Sequence, residues 1–247
     1  MERALVPLTY FELIEYRETC AELNNSTREM HVRDIKFAGA TILLGTLLAV
    51  LTVLIEFSVD WSTPGTSTEL ARRAEVFSAA WPLLSKLWIA QMVGALLMTI
   101  GALNLIGSPL PSDRVIPIKI LLATAAVSGV IVTASFGQAL GAYPVALEHF
   151  EDAPSLFATL MGELSITYRA SAALLGLSYL VFAIQEGFTR DGLLPRFSVY
   201  IVIALWLGAI ITIALSLLLP KTAGIVAFAA PALIGWCLLK YPGTQTL

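Results

Sequence analysis

Residues 170–219 hold two apolar arms joined by a short polar loop, Gly187-Phe-Thr-Arg-Asp-Gly-Leu-Leu-Pro-Arg-Phe197. The first arm, residues 171–185, is almost free of charge, and the second, residues 198–219, carries none. An apolar run of about 20 residues crosses a hydrocarbon core of about 30 Å, so the pattern predicts two membrane-spanning helices in a hairpin. Arg190 and Arg196 lie in the loop between them, where the cytoplasmic side of a membrane favours cations.

The rest of the chain can be counted outward from this hairpin. Of its 247 residues, 57% are hydrophobic and only 13% charged, against about 25% charged in ordinary soluble domains. The deficit is spread over several long runs, which predicts an all-α, polytopic bundle of about six spans. Besides the two arms, these are residues 37–55, 83–106, 118–140 and 223–239. The expected organisation is a cytoplasmic amphipathic N-terminal segment (1–34), a six-helix transmembrane domain (35–241) and a short cytoplasmic tail (242–247). A net charge of −3 argues against a nucleic-acid partner. Residues 1–34 hold no continuous apolar stretch, so no cleavable signal peptide is expected and the first span serves as an uncleaved one. Cys20 and Cys237 lie in very different settings, and neither a disulfide nor a metal–thiolate site is expected.

Local signals divide these runs further. Thr9-Tyr-Phe-Glu12 fits a capping box that would start a helix ending at Asn24-Asn25, and Ser26-Thr-Arg-Glu29 fits a second that would start span one. Tyr10, Leu13, Ile14 and Ala21 fall near helical spacing in the first helix, a side suited to the protein's own loops or to a partner. Thr66-Ser-Thr-Glu69 would cap a short amphipathic helix to about Ala80, with Pro82 interrupting or starting span two. Tyr143-Pro144 would end span three, and residues 155–168 would form a helical lead-in to span four. Trp61, Trp81, Trp88, Trp236 and Tyr241 suit the two membrane interfaces. Gly137-Gln-Ala-Leu-Gly141 has the spacing that lets helix backbones approach closely, a match common by chance among small residues.

Six spans put both termini on one side. That side carries Arg3, Arg17, Arg28, Arg33, Lys36, Arg114, Lys119, Arg190, Arg196 and Lys240, against Arg72, Arg73, Lys86 and Lys221 on the other, with Arg169 unassigned. The asymmetry predicts N-in, C-in.

Residues able to carry chemistry are few. His31 and His149 are the only histidines, and the topology places them on opposite sides, which argues against multi-histidine metal sites and bis-histidine haem. Glu148, His149, Glu151 and Asp152 would offer oxygen ligands to a cation, or simply form a solvated acidic turn. Glu163 and Arg169 are the opposite charges nearest membrane depth, and intramembrane ionisable residues are functional candidates. Six residues apart, they point about 120° from each other and cannot pair along one helix face. Glu186 and Gln185 are expected at the interface, and Gln91, Asn104 and Gln138 are expected to tie helices together. No Ser-Lys or Ser-His pair, glycine-rich phosphate loop or HExxH motif is present, and no cofactor is expected.

Three segments carry a resemblance: Leu175-Gly-Leu-Ser-Tyr-Leu180, Asp191-Gly-Leu-Leu-Pro-Arg-Phe197 and Leu233-Ile-Gly-Trp-Cys-Leu-Leu-Lys240. Together, over the last third of the chain, they resemble a family of bacterial six-span membrane proteins of unknown function. In that family a span is followed by an L-(L/I)-P-R-(W/F) loop and the chain ends on a Trp-Leu-Leu-Lys-like helix. The sequence departs at Phe197, where Trp is usual. The resemblance implies the fold, with Pro195 setting the entry to span five and Arg196 anchoring at phosphates. It implies no substrate.

The expected function is therefore that of a multi-pass inner (plasma) membrane protein without its own catalytic centre. It would be a structural or accessory subunit that meets other membrane subunits through its N-terminal segment and helix faces. The alternative is a small-molecule transporter or channel, which needs a polar cavity around Gln91, Asn104 or Gln138. A membrane-embedded enzyme would need Glu163, Arg169 and His149 to converge.

Overall fold

The computed structural model describes residues 10–56, 67–108, 115–188, 194, 198–218 and 228–241. Among them every regular element is an α-helix: α1 (Tyr10–Glu56), α2 (Ser67–Gly107), α3 (Val115–Glu148), α4 (Pro154–Phe188), α5 (Val199–Leu218) and α6 (Ala229–Leu239). The first four contain stretches long and apolar enough to cross a membrane, namely Glu29–Glu56, Glu69–Gly107, Ile116–Glu148 and Pro154–Glu186. The chain is a multi-pass membrane protein, as its apolar runs predict. α5, with 20 residues and no charge, and α6, with 11 residues, fall where spans five and six are expected. Residues 223–227 of the sixth run lie outside the described residues.

The helices are longer than the local signals predict. α1 runs unbroken through Asn24, Asn25 and Ser26, so the second capping box starts no helix and the boundary at residue 34 falls inside one. Each of these residues costs a helix interior well under about 1 kcal/mol relative to alanine, too little to end a helix continuous with a span. The predicted lead-in at residues 155–168 is likewise one helix with span four, entered at Pro154, a residue suited to a first turn because its missing N–H would be unpaired there. Pro82 and Pro144 sit inside α2 and α3 rather than ending them. Each forfeits one backbone hydrogen bond, and the buried Phe77, Leu84, Tyr143 and Ala146 hold the helices on both sides of the gaps.

α1 packs on α2, α2 on α3 and α3 on α4, while α6 packs on both α1 and α4 and so closes a ring; α5 borders α4. Two crossings bring backbones together. A Cβ on Gly45 would stand 2.5 Å from the Gly94 carbonyl oxygen, and one on Gly94 would stand 2.8 Å from that of Gly45. A Cβ on Gly235 would meet the Leu43 backbone nitrogen at 2.7 Å and the Gly39 oxygen at 2.9 Å. At both crossings only glycine permits the contact, which is how membrane helices associate where lipid removes the hydrophobic drive. The Gly137 and Gly141 pair, by contrast, is exposed with nothing within 4 Å.

Exposed side chains mark the lipid boundary. Large apolar residues are exposed in runs from Phe37 to Ile55 on α1, Ile89 to Leu103 on α2, Ile116 to Ile131 on α3 and Ile166 to Val181 on α4, with Met30, Leu83, Val145 and Leu156 standing singly beyond them. At 1.5 Å per residue these bands are about 21–27 Å tall, close to a hydrocarbon core. Beyond them, at the end where α1 finishes, α2, α3 and α4 continue with exposed faces that include Arg72, Glu75, Lys86, Gln138, Glu148, Thr159 and Glu163. These extensions form a three-helix head. Its core is aromatic: Phe77 lies 4.8 Å from Tyr143, 5.6 Å from Phe157 and 5.8 Å from both Trp81 and Trp88, ring centre to ring centre. Trp88 is therefore a core residue, with Trp81 partly buried against it, because the head gives their rings apolar partners. Trp236, half exposed with the Lys240 ammonium 4.2 Å from its ring centre, does suit an interface. Trp61 lies outside the described residues.

Candidate functional site

Polar groups inside the bundle gather at three levels. Just below the head, the Gln91 amide of α2 donates to Glu56 Oε2 at the end of α1, 2.7 Å away, and Trp88 Nε1 donates to Glu56 Oε1 at 3.5 Å. In mid-bundle the Tyr179 hydroxyl of α4 donates to the Met98 carbonyl of α2 at 2.8 Å. At the far end Asn104 Nδ2 donates to the Asp34 carbonyl at 2.7 Å. Gln91 and Asn104 thus tie α1 to α2, as their positions within a span predict. Each such bond spares a polar group from meeting hydrocarbon alone.

Glu186 departs from expectation. It is fully enclosed rather than interfacial. It shares a helical stripe with Leu175, Tyr179 and Phe182, all buried beside α6 residues such as Ile234 and Leu238. That 3–4 residue spacing was readable beforehand, but only the packing of α6 on α4 decides that the stripe faces inward.

Two openings interrupt the packing. A void of about 10 Å³ at the bundle centre touches Gln91, Met98, Phe136, Tyr168 and Phe228, room for about one water molecule. A cleft of about 70 Å³ between α3 and α4 is lined by Ser135, Gln138, Ala139, Tyr143, Leu160, Glu163, Leu164 and Thr167. Ser135 bonds back to the Ile131 carbonyl at 2.8 Å, whereas Gln138, Glu163, Thr167 and the Tyr143 hydroxyl have no hydrogen bond among the described residues.

Of the sequence-predicted candidates, Glu163 lines this cleft. Arg169 is exposed on the same helix and does not line it. His149 lies in the exposed turn after α3, its N–H donating to the Val145 carbonyl at 3.1 Å. The axial distance from that turn to Glu163 is about 14 Å at 1.5 Å per residue, so the three do not converge. Arg196 lies outside the described residues. No three His, Cys, Asp or Glu side chains among the described residues come together to hold a metal, the turn with Glu148, Glu151 and Asp152 included. His31 and His149 fall at opposite ends of the bundle: Asp34 pairs near the end of α2, and α3 carries the chain from there to the other end.

A ring of helices with a polar seam and an aromatic head defines a multi-pass α-helical membrane protein. No family model, curated protein or solved structure matches the chain.

Proposed function

We propose that the protein is a structural or accessory subunit of a larger membrane assembly, without a catalytic centre of its own. It crosses the inner (plasma) membrane of a bacterium six times with both termini in the cytoplasm, and belongs with the six-span family that its last third resembles. The observation that carries this reading is the length of α1. Asn104 pins α2 to Asp34, and α2 ends three residues later at Gly107. α1 continues from Asp34 back to Tyr10, about 36 Å of helix at 1.5 Å per residue. A single helix of that length reaching past its neighbour suits docking to another subunit. The antiparallel crossing of α6 on α1, with Leu238 beside Gly39, supports termini on one side.

The transporter reading has one observation in its favour, the polar cleft at Gln138. Against it, Gln91 and Asn104 are occupied in ties between helices, and the central void has room for about one water. The test is isolation of the native protein in mild detergent, with co-purifying proteins identified. A stoichiometric membrane partner is expected; recovery of the chain alone would overturn the reading.

A further inference from the structure

We propose that the cleft between α3 and α4 binds the primary ammonium of a lipid headgroup. Four polar side chains that spend no hydrogen bond on the described protein converge there: Gln138, Tyr143, Glu163 and Thr167. Tyr143 is 1% exposed, while Gln138, Glu163 and Thr167 are exposed at the mouth of the cleft. The only charge among the lining residues is the Glu163 carboxylate, and Gln138, Tyr143 and Thr167 can each present an acceptor oxygen. That set suits a cation with several N–H donors. Arg73 interacts electrostatically with Tyr143 but does not line the cleft.

Size and depth select the source of the ammonium. On the scale that gives the central void room for about one water, a volume of about 70 Å³ holds roughly five to seven, at about 10–15 Å³ each. It takes an ammonium and the few atoms beside it, well short of the ~300–1,000 Å³ that engulf a whole small molecule. The remainder of the ligand must lie outside. On α3 the run of exposed large apolar residues stops at Ile131, with only Val145 beyond it, and the cleft begins at Ser135; on α4 the run starts at Ile166, preceded only by Leu156, and the cleft reaches Glu163. The cleft therefore opens at headgroup depth, with acyl chains free to run down the exposed apolar faces beside it.

The full-length protein, purified in detergent, is mixed with equal amounts of dioleoyl phosphatidylethanolamine, phosphatidylcholine and phosphatidylglycerol, and retained lipid is counted by native mass spectrometry. Phosphatidylethanolamine should be retained about tenfold over phosphatidylcholine, whose quaternary nitrogen donates no hydrogen bond. A charge-assisted bond is worth about that factor, and Glu163→Gln should abolish the preference. Its unfolding temperature without lipid should not move, since Glu163 bonds to nothing in the described chain. Should it move, Thr167→Val serves instead and must reduce the preference. Equal retention of the three lipids, or a preference intact in both variants, would overturn the site. Displacement of the lipid by equimolar free ethanolamine would overturn the lipid assignment in favour of a soluble amine.

Discussion

Gln91 illustrates how a single polar residue is used at membrane depth. Its side chain is buried, and its amide meets the Glu56 carboxylate at 2.7 Å, beside the Trp88 Nε1 that donates to the same carboxylate at 3.5 Å. A hydrogen bond to a charged acceptor contributes about 1.5–3 kcal/mol. Gln91→Leu keeps the volume and removes the donor, so the unfolding temperature measured in detergent should fall. Gln91→Glu should fall further, because it sets a second carboxylate against Glu56. Equal stability of Gln91→Leu and the parent would show that the bond between α1 and α2 contributes nothing.

Among the elements, α1 is the one whose two parts can be separated. Deleting residues 1–25 leaves Ser26-Thr-Arg-Glu29 to cap the shortened helix. It also leaves every packed residue from Ile35 to Val53 in place. The bundle should therefore unfold at an unchanged temperature in detergent while losing its co-purifying partner. The residues removed include Tyr10, Leu13 and Ile14, and burying large apolar side chains in a partner is worth about 1.5–3 kcal/mol each. A large loss of stability with partners unchanged would mean that the segment packs on its own bundle.

At the scale of the molecule, the aromatic head and the N-terminal part of α1, residues 10–33, lie at opposite ends of the bundle, and orientation assigns them to compartments. Under the proposed N-in orientation, residues 10–33 of α1 would lie in the cytoplasm and the aromatic head outside. In a Cys237→Ser background, Cys20 should react with a membrane-impermeant thiol reagent in inverted vesicles and not in intact cells. Labelling in intact cells would reverse the orientation and put the head, with its cleft, on the cytoplasmic side.

How much of this was legible follows from the physics of each feature. Transfer from water to hydrocarbon is nearly additive over a run of residues, so the apolar stretches around residues 37–55, 83–106, 118–140 and 171–185 alone determined helical class and the places of the first four spans. Gln91 and Asn104 were readable as helix ties because an amide within an apolar run needs a partner, and Gln91 is the one that ends up buried. Which partner each takes was not readable, because Glu56 and Asp34 lie 35 and 70 residues away. Continuity through Pro82 and Pro144 depends on packing on both sides of each proline, which no local signal shows. The tertiary structure also decided which small residues matter: Gly45 and Gly94 meet, while the GxxxG pair Gly137 and Gly141 meets nothing within 4 Å. It buried Trp88 in the core of a head, and it brought Glu163 to a cleft with Gln138 and Tyr143. Burial and pairing are properties of two surfaces at once, and one helix's sequence specifies only its own.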